Sequence, residues 1–197
     1  VRSYGLEGSG YKVKATVSKD GREVANMENG PFNVKDGTST INLSATVKAP
    51  KKWTSETPEL YDLTMELIGP DGKAVDHIVK RMGFKKTEIR DGVFYLNGQP
   101  LKVNAQNSHM QHPILGHAMD EATIRRDMEI LKQFNFNGVR TSHYPPVNEY
   151  LDLADEYGLF IIDETGDEAH ATEYVSNMPE FIEMYRERVR QLVLRDR

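Results

Sequence analysis

Residues 135–146 read NFNGVRTSHYPP, and this stretch decides the fold. An amphipathic helical pattern precedes it, and Gly138 and Val139 then open a short buried strand. The strand runs directly into residues 140–144 (RTSHY), and two prolines end it. Polar, cationic and aromatic groups at the C-terminal end of such a strand are typical of the sites of barrel and open-sheet enzymes. The alternative is a strand-end loop whose polar groups only meet water.

Helical periodicity lies on both sides of this stretch. Upstream, Asp120 fits an N-cap position, and apolar residues then recur at i, i+4 and i+7: Ile124, Met128 and Leu131. Downstream, apolar residues recur at helical spacing until a glycine ends the pattern: Val147, Tyr150, Leu151, Ala154 and Gly158. The sequence therefore predicts a helix before the strand and another after it.

The apolar run at residues 159–162 (LFII) predicts a strand buried on both faces. A group of ionisable residues follows it: Asp163, Glu164, Glu168 and His170. Pro179 then lies near the start of a last helix whose inward face is expected to hold four residues: Phe181, Tyr185, Val189 and Leu192. The order β-α-β-α-β-α, with parallel strands, is the pattern of a (β/α) barrel with its site at the C-terminal face.

Three βα units are fewer than the eight that close a barrel of this type. Three strands leave a strand edge unpaired and much apolar helix surface uncovered. We therefore expect a piece of a longer chain, which agrees with a start at Val1 without a Met and an end at Asp196 and Arg197. We also expect the isolated chain to self-associate or to be loosely packed.

In residues 1–84, apolar and polar residues alternate with the two-residue period of strands, and no helical periodicity is found. Alternation is clearest at residues 11–17 (YKVKATV), 41–47 (INLSATV) and 63–68 (LTMELI), and Asp-Gly turns separate such runs. The pattern predicts a β-sandwich of roughly immunoglobulin type. The aromatic residues that bracket WTSETPELY, Trp53 and Tyr61, predict a loop held by aromatic burial. A carbohydrate-binding module and a structural spacer both fit this region.

Residues 85–113 connect the two patterns. Residues 88–92 (EIRDG) predict a turn, and an Asn-Gly pair at residues 97–98 between apolar runs predicts a hairpin. The hairpin leads into a strand end where Asn107, His109 and His112 cluster. A lone histidine is usually structural, but two within four residues beside an asparagine also fit a functional site.

Composition narrows the classes of function. The 197 residues carry a net charge of -5, with 38% hydrophobic and 28% charged residues and no cysteine. This balance fits a globular protein, and the absence of a dense basic stripe argues against nucleic acid as the main partner. No apolar run has the length of a membrane helix. The lack of thiols excludes disulfides and thiolate metal sites and leaves the cellular compartment open.

Histidines and carboxylates without cysteine favour hard or borderline cations such as Mg²⁺, or direct hydrogen bonds to sugar hydroxyls. Glu168 and His170 are two residues apart, so on an extended strand end both can approach one ion. A solvated acidic loop is the alternative. Asp163 and Glu164 are neighbours that would point to opposite faces, which argues against a catalytic carboxylate pair.

Several long motifs in order resemble glycoside hydrolase family 2, and most closely its β-galactosidase branch. They are residues 53–61 (WTSETPELY), residues 82–103 (MGFKKTEIRDGVFYLNGQPLKV), and the segment from residues 107–113 (NSHMQHP) to residues 160–164 (FIIDE). The resemblance implies a retaining exo-β-glycosidase that hydrolyses terminal β-linked sugars. It implies a multidomain fold, with an all-β immunoglobulin-like sandwich at residues 1–84 and part of a (β/α)8 TIM barrel at residues 85–197.

The resemblance also implies roles for individual residues. The substrate-binding positions are Asn107, His109, Arg140 and His143. The ligands of an active-site Mg²⁺ are Glu168 and His170, and Asp163 and Glu164 are structural. Both catalytic carboxylates, the acid/base and the nucleophile, are expected beyond residue 197, so this chain has no catalytic residue and is expected to be inactive alone.

Some positions depart from the family pattern. Ser108 stands where the family usually has a basic residue and Met110 where it has Glu, and further departures include Asp167 and Ala169. These changes bear on galactose specificity more than on glycosidase chemistry. The alternatives are a β-glucuronidase of the same family and a non-catalytic carbohydrate-binding or scaffold protein. The implied partners are a carbohydrate substrate and, in the full-length enzyme, further copies of the same subunit in a homo-oligomer. Neither nucleic acid nor a membrane is expected as a partner.

Overall fold

The structure is a computed structural model that describes residues 1–5, 7–166, 168 and 170–196, without the side chain of Glu173. The departures at Asp167 and Ala169 and the chain end at Arg197 therefore lie outside the described residues. The chain forms two compact units. The first unit comprises Val1–Trp53 and Glu59–Phe84, and the second comprises Thr54–Pro58 and Lys85–Arg197.

The first unit is built of antiparallel strands. Its strands are β1 (Arg2–Ser3), β2 (Gly8–Lys19), β3 (Arg22–Val34), β4 (Gly37–Thr38), β5 (Tyr61–Ile68) and β6 (Ala74–Met82). The main sheet has the order β3-β2-β5-β6, and β1 pairs with β4. Lys19 lies opposite Arg22 across the Asp20-Gly21 turn, which confirms the predicted hairpin.

The strand predicted at residues 41–47 is not formed, and residues 39–51 contain no strand. Ile41, Leu43 and Val47 are nevertheless partly buried, while Asn42 and Ser44 are exposed. Any extended chain turns successive side chains to opposite sides, but a strand also needs ladder hydrogen bonds to a neighbour. The alternation here reflects one-sided burial of an extended loop.

Aromatic burial holds both ends of the WTSETPELY segment, as predicted. Trp53 and Tyr61 are only 1% and 4% exposed. The ring of Phe84 meets the ring of Tyr61 edge to face, with 4.9 Å between their centroids. A Cβ atom on Gly83 would come within 2.7 Å of Trp53 Cβ, so glycine is required where the chain passes the indole.

The intervening residues Thr54–Pro58 pack with the second unit. Ser55 is buried, and its carbonyl oxygen accepts a hydrogen bond of 2.9 Å from Lys132 Nζ. Gly158, in the left-handed conformation at φ 72°, approaches the same carbonyl so closely that an added Cβ atom would lie 2.5 Å from the oxygen. A segment that precedes the last two strands of the first unit is therefore anchored in the second.

The second unit opens with a meander in which each strand pairs with the next. Its strands are β7 (Thr87–Arg90), β8 (Val93–Leu96) and β9 (Gln99–Pro100). The predicted hairpin at Asn97-Gly98 is confirmed, since Leu96 lies opposite Gln99. The turn predicted at residues 88–92 is confined to Asp91-Gly92, and the residues before it belong to β7. Both turn residues have positive φ, as a tight two-residue hairpin turn requires.

A parallel sheet with the order β10-β11-β12 follows, with helices between its strands. Its elements are β10 (Ala105–Ser108), α1 (Glu121–Gln133), β11 (Gly138–Thr141), α2 (Asn148–Tyr157), β12 (Phe160–Ile162) and α3 (Ile182–Asp196), with 3-10 turns at Glu173–Asn177 and Pro179–Phe181. The predicted N-cap is confirmed, because Asp120 Oδ1 accepts a hydrogen bond from Thr123 N. The predicted stop at Gly158 is confirmed as well.

The core of this unit joins the two predicted helices to β11. Its buried members are Met110, Ile124, Met128, Val139, Tyr150, Leu153, Ala154 and Leu159. These residues confirm the predicted apolar face of α1. In α2 the face is shifted, because Leu153 is buried while Val147 precedes the helix and is exposed.

Two predictions about burial are wrong. The third parallel strand is not buried on both faces, since Ile162 is 46% exposed. No described residue of α3 is buried, and Val189, which was expected to face inward, is 48% exposed. Among the described strands, β12 lies at the edge of its sheet, so no further strand pairs with it there. Among the described helices, none combines the length and apolar character needed to cross a membrane.

Candidate functional site

The parallel register brings three strand ends to one edge of the sheet. Asn107 lies opposite Arg140, and Arg140 lies opposite Ile162. The residues that follow these positions therefore meet at the C-terminal edge, as expected for a βα sheet.

Glu164 occupies the centre of this edge. Its Oε1 atom accepts a hydrogen bond of 2.5 Å from Arg140 Nε, and its Oε2 atom lies 2.8 Å from His143 Nδ1. A carboxylate only accepts, so Nδ1 carries the proton of the imidazole. Arg140 Nη2 lies 3.2 Å from the same Nδ1, and Arg140 Nη1 lies 3.4 Å from Asn107 Oδ1. One carboxylate thus holds two donor groups side by side.

Electrostatics keep this carboxylate charged. Burial alone would raise the pKa of Glu164, but the hydrogen bonds from His143 and Arg140 and the charge of Arg140 outweigh that effect. The net result is a pKa below the usual value, so Glu164 is ionised at neutral pH.

Thr141 joins the neighbouring strands behind this cluster. Its hydroxyl donates to Asp163 Oδ1 at 3.1 Å and accepts from the backbone N–H of Glu164 at 3.1 Å. Burial, followed by the neighbouring Asp196 carboxyl, raises the pKa of Asp163 to about 6. The side chains of Asp163 and Glu164 therefore meet different partners, as expected of sequence neighbours on an extended chain.

The predicted metal ligands lie next to this cluster. Glu168 Oε1 lies 3.4 Å from His170 Nδ1 and 3.6 Å from His143 Nε2. The described residues contain no group of three or more histidines and carboxylates already arranged around one point. A carboxylate oxygen and an imidazole nitrogen that converge on one region do fit a hard divalent cation whose remaining ligands are water or other oxygens.

The histidines that follow β10 have different environments. The ring of His109 faces His143 edge-on, with 5.5 Å between the ring centroids. His112 instead accepts hydrogen bonds at Nδ1 from the backbone N–H groups of Ile114, at 3.0 Å, and Leu115, at 2.9 Å. His112 therefore caps a turn, and the structural interpretation applies to it.

A cavity of about 540 Å³ lies over the cluster. Its lining comprises Arg140, His143, Asp163, Glu164, Thr165, Gly166, Glu168 and His170. Three carboxylates face one guanidinium in this cavity, so the described lining has an acidic balance. Its size is within the range of small-molecule sites.

Sequence reasoning left the contacts of two residues of this site unspecified. Glu164 was expected to have a supporting, structural role, and its individual contacts with Arg140 and His143 were not predicted. Thr141 was not singled out, because a hydroxyl between polar neighbours gives no distinctive pattern. The signal that could have located both residues was the predicted parallel arrangement of these strands. The structure pairs β11 with β12, which brings the ends of both strands together.

Residues 87–197 match the family model described as "Glycosyl hydrolases family 2, TIM barrel domain", and residues 2–85 match the model described as "Glycosyl hydrolases family 2". The chain belongs to glycosyl hydrolase family 2. The family assignment made from the sequence motifs is therefore confirmed. A family 2 sandwich domain followed by the start of a family 2 TIM barrel agrees with the two kinds of sheet observed.

Curated relatives of this family 2 chain include β-galactosidases. It is 42% identical over 157 residues to the β-galactosidase of Vibrio cholerae serotype O1, which covers 78% of this chain and 15% of the relative. It is 38% identical over 203 aligned residues to β-galactosidase 2 of Enterobacter cloacae, which covers 98% of this chain and 20% of the relative. The chain thus spans about a fifth or less of the length of these relatives.

Solved family 2 structures share the fold. A family 2 member from Bacteroides cellulosilyticus DSM 14838 has a TM-score of 0.69 at 25% identity, covering 81% of this chain and 22% of that one. The β-glucuronidase of Ruminococcus gnavus in complex with D-glucuronic acid has a TM-score of 0.65 at 28% identity, covering 78% and 25%. These solved structures share the family and the fold of this chain.

Proposed function

We propose that this chain is the part of a retaining exo-β-galactosidase that binds the terminal sugar. Residues 1–84 would form an immunoglobulin-like sandwich, and residues 85–197 would form the N-terminal part of the barrel. The β-galactosidase relatives support this choice, as they are 38–42% identical to the chain. The acid/base and nucleophile would be supplied by other parts of the enzyme, so this chain alone would not turn over substrate.

The observation that carries the proposal is the cluster at Glu164. Arg140 and His143 are held by one carboxylate, which fixes the orientation of both side chains before a ligand binds. The Arg140 guanidinium has further N–H groups that can donate to sugar hydroxyls, and the unprotonated Nε2 atom of His143 can accept from one. His109 and Asn107 flank these groups and would complete the sugar-binding set.

The charge of the cavity favours a neutral sugar. Asp163, Glu164 and Glu168 line it, and the guanidinium of Arg140 is already paired with Glu164. A uronate would bring another carboxylate into this acidic surrounding, where the one guanidinium of the described lining is already paired with a carboxylate. Like charges at close range are unfavourable, so a galactoside fits better than a glucuronide.

Glu168 and His170 would hold a Mg²⁺ ion at the edge of this cavity. The ion would supply positive charge beside the reacting sugar and balance the carboxylates. The support is the convergence of Glu168 Oε1 and His170 Nδ1, which lie 3.4 Å apart. Glu168→Gln would weaken Mg²⁺ binding to the chain, as measured by calorimetry without any substrate.

Calorimetric titration of the chain with galactose, glucuronate and Mg²⁺ tests the proposal. We expect galactose to bind, glucuronate to bind at least about tenfold more weakly, and His143→Ala to reduce galactose affinity. His77→Ala, an exposed histidine of the first unit, is the matched control. Preference for glucuronate would favour the β-glucuronidase alternative. Tight galactose binding whose affinity changes neither with Mg²⁺ nor with His143→Ala would favour a non-catalytic sugar-binding protein.

Nitrophenyl β-glycosides test the expected inactivity. The chain should release no nitrophenol. Clear turnover that is lost in Glu164→Gln or Glu168→Gln would show that these carboxylates are catalytic, and the proposed division of roles would be wrong.

A further inference from the structure

A second cavity of about 300 Å³ lies next to the sugar-binding cluster and is lined by Met110, His117 and Tyr144. A series of ring contacts connects it to the cluster. The centroid of His109 lies 5.5 Å from that of His143 and 6.3 Å from that of Tyr144, and Tyr144 meets His117 edge to face at 5.6 Å. The same rings therefore separate the two cavities.

The surface of this cavity is mainly apolar. His117 Nδ1 lies 2.8 Å from the carbonyl oxygen of Met110, which can only accept, so Nδ1 carries the proton. The hydroxyl of Tyr144 lies 3.4 Å from the same nitrogen. The surfaces left for a ligand are mainly ring faces and the thioether, which form favourable contacts with flat apolar rings.

The floor of the cavity belongs to the core of the second unit. Met110 is 7% exposed and packs in the core with Met128 and Tyr150. Met110 also stands where the sequence motif of the family usually has Glu, so an apolar atom replaces a carboxylate at this point. A cavity of this size takes a single six-membered ring with small substituents and is at the lower end of the usual range for ligand sites.

We propose that this cavity binds the leaving group of the glycoside and that it selects an aromatic ring, as in an aryl β-glycoside. The inference rests on the proposed function, because a leaving group is defined only by a sugar bound at the adjacent cluster. The aromatic ring packs against Tyr144 and His117 and lies on the thioether of Met110. A sugar leaving group would find little polar surface in this cavity.

Methyl NMR of the full 197-residue chain, labelled with ¹³C at the methionine methyls, tests this directly. The probes are 4-nitrophenol and galactose, added separately. We expect 4-nitrophenol to shift the Met110 methyl signal saturably and galactose to leave it unchanged. Met128, which belongs to the same core but is 0% exposed, is the internal control for unspecific effects. Met110→Leu assigns the signal.

Substitutions then separate the cavity from the rest of the surface. Tyr144→Ala should weaken 4-nitrophenol binding at least about threefold, the size expected for one lost aromatic contact. His117→Ala should act in the same direction and provides a second variant if Tyr144→Ala does not fold. Tyr174→Ala, an exposed tyrosine of the same unit, should bind like the parent chain.

The outcomes are distinct. If galactose binds in the calorimetric titration but 4-nitrophenol does not move the Met110 methyl signal, the leaving-group site is wrong and the proposed function stands. If 4-nitrophenol shifts Met110 and Met128 equally, its binding is unspecific and the inference also fails. If 4-nitrophenol binds and galactose does not bind anywhere, the proposed function is wrong. The leaving-group role is then wrong as well, because it depends on a bound sugar.

Discussion

The Nδ1 atom of His143 lies 2.8 Å from Oε2 of Glu164, 21 residues further along the chain. The other oxygen of this carboxylate bonds to Arg140, so the histidine and the arginine share one acceptor. This arrangement fixes the tautomer of His143 and leaves Nε2 as the ring atom that faces Glu168.

We predict that Glu164→Gln reduces galactose affinity by roughly 10-fold or more, because a hydrogen bond to a charged group contributes about 1.5–3 kcal/mol. The amide of Gln can accept from only one of the two donors, Arg140 or His143. Calorimetry measures the loss. Glu183→Gln, which alters an exposed ion pair with Arg186 on α3, is the control and should not change the affinity. Equal affinity in both variants would show that the cluster does not position the sugar.

A pH effect is expected from Asp163. Its pKa is raised to about 6 by burial and by Asp196, so the folded state holds the proton more tightly than the unfolded state. The contribution of this carboxyl to the free energy of unfolding is therefore full below its ordinary pKa and is lost as pH rises from about 4 to about 6. Asp163→Asn should remove this dependence, as measured by urea unfolding across that range.

Carboxyl ¹³C NMR provides a direct check on Asp163. We expect its titration midpoint near pH 6 in the parent chain and a lower value in Asp196→Asn. The same raised midpoint in both chains would mean that the two carboxyls do not interact, and an ordinary midpoint in the parent chain would contradict the raised pKa itself.

Gly158→Ala should destabilise the second unit by more than about 1–2 kcal/mol, the cost of the left-handed conformation for alanine. The excess arises because the new Cβ would lie 2.5 Å from Ser55 O. Gly92→Ala is the matched control, since Gly92 has φ 75° in the same unit and no atom within 4 Å of the added Cβ. Thermal unfolding should therefore show a larger loss for Gly158→Ala, and equal losses would contradict the close approach.

The exposed apolar residues of α3 predict self-association. Val189 and Val193 are 48% and 50% exposed, and contiguous apolar surface of this kind promotes contact between copies. Sedimentation should show oligomers of the chain at micromolar concentration. The double substitution Val189→Lys and Val193→Lys should shift the distribution towards monomer. If the unsubstituted chain is monomeric, this prediction is wrong. That the full-length enzyme is a homo-oligomer is a separate prediction.

The sequence predicted the elements whose pattern is local and strong. Helix α1 combines an N-cap at Asp120 with apolar residues on one face, and both signals act within a few residues. The strand before α1 was predicted from the cluster at its end, but its bounds were not, since the residues Ala-Gln-Asn-Ser of β10 have little strand propensity and form a strand because they pair with β11. Pairing between distant segments overrode local preference at this point.

Site prediction shows the same limit. Arg140 and His143 follow an apolar strand directly, so their position at a strand end could be predicted. The central role of Glu164 could not, because it depends on which side chains face it from the adjacent strand. The turn role of His112 depends equally on geometry, because its Nδ1 atom accepts from the backbone N–H groups of Ile114 and Leu115 only when the chain turns back on the ring.

The anchoring of Ser55 by Lys132 has a consequence for the modular history of this protein. The chain passes between the two units after Trp53, after Pro58 and again after Phe84, so no single cut separates them. A gene fusion or deletion with its junction at residue 85 would deliver a barrel segment without residues 54–58, leaving the Lys132 ammonium group and the tight turn at Gly158 without the backbone they contact. Exchange of the sandwich during evolution therefore requires that these five residues be inherited with the barrel.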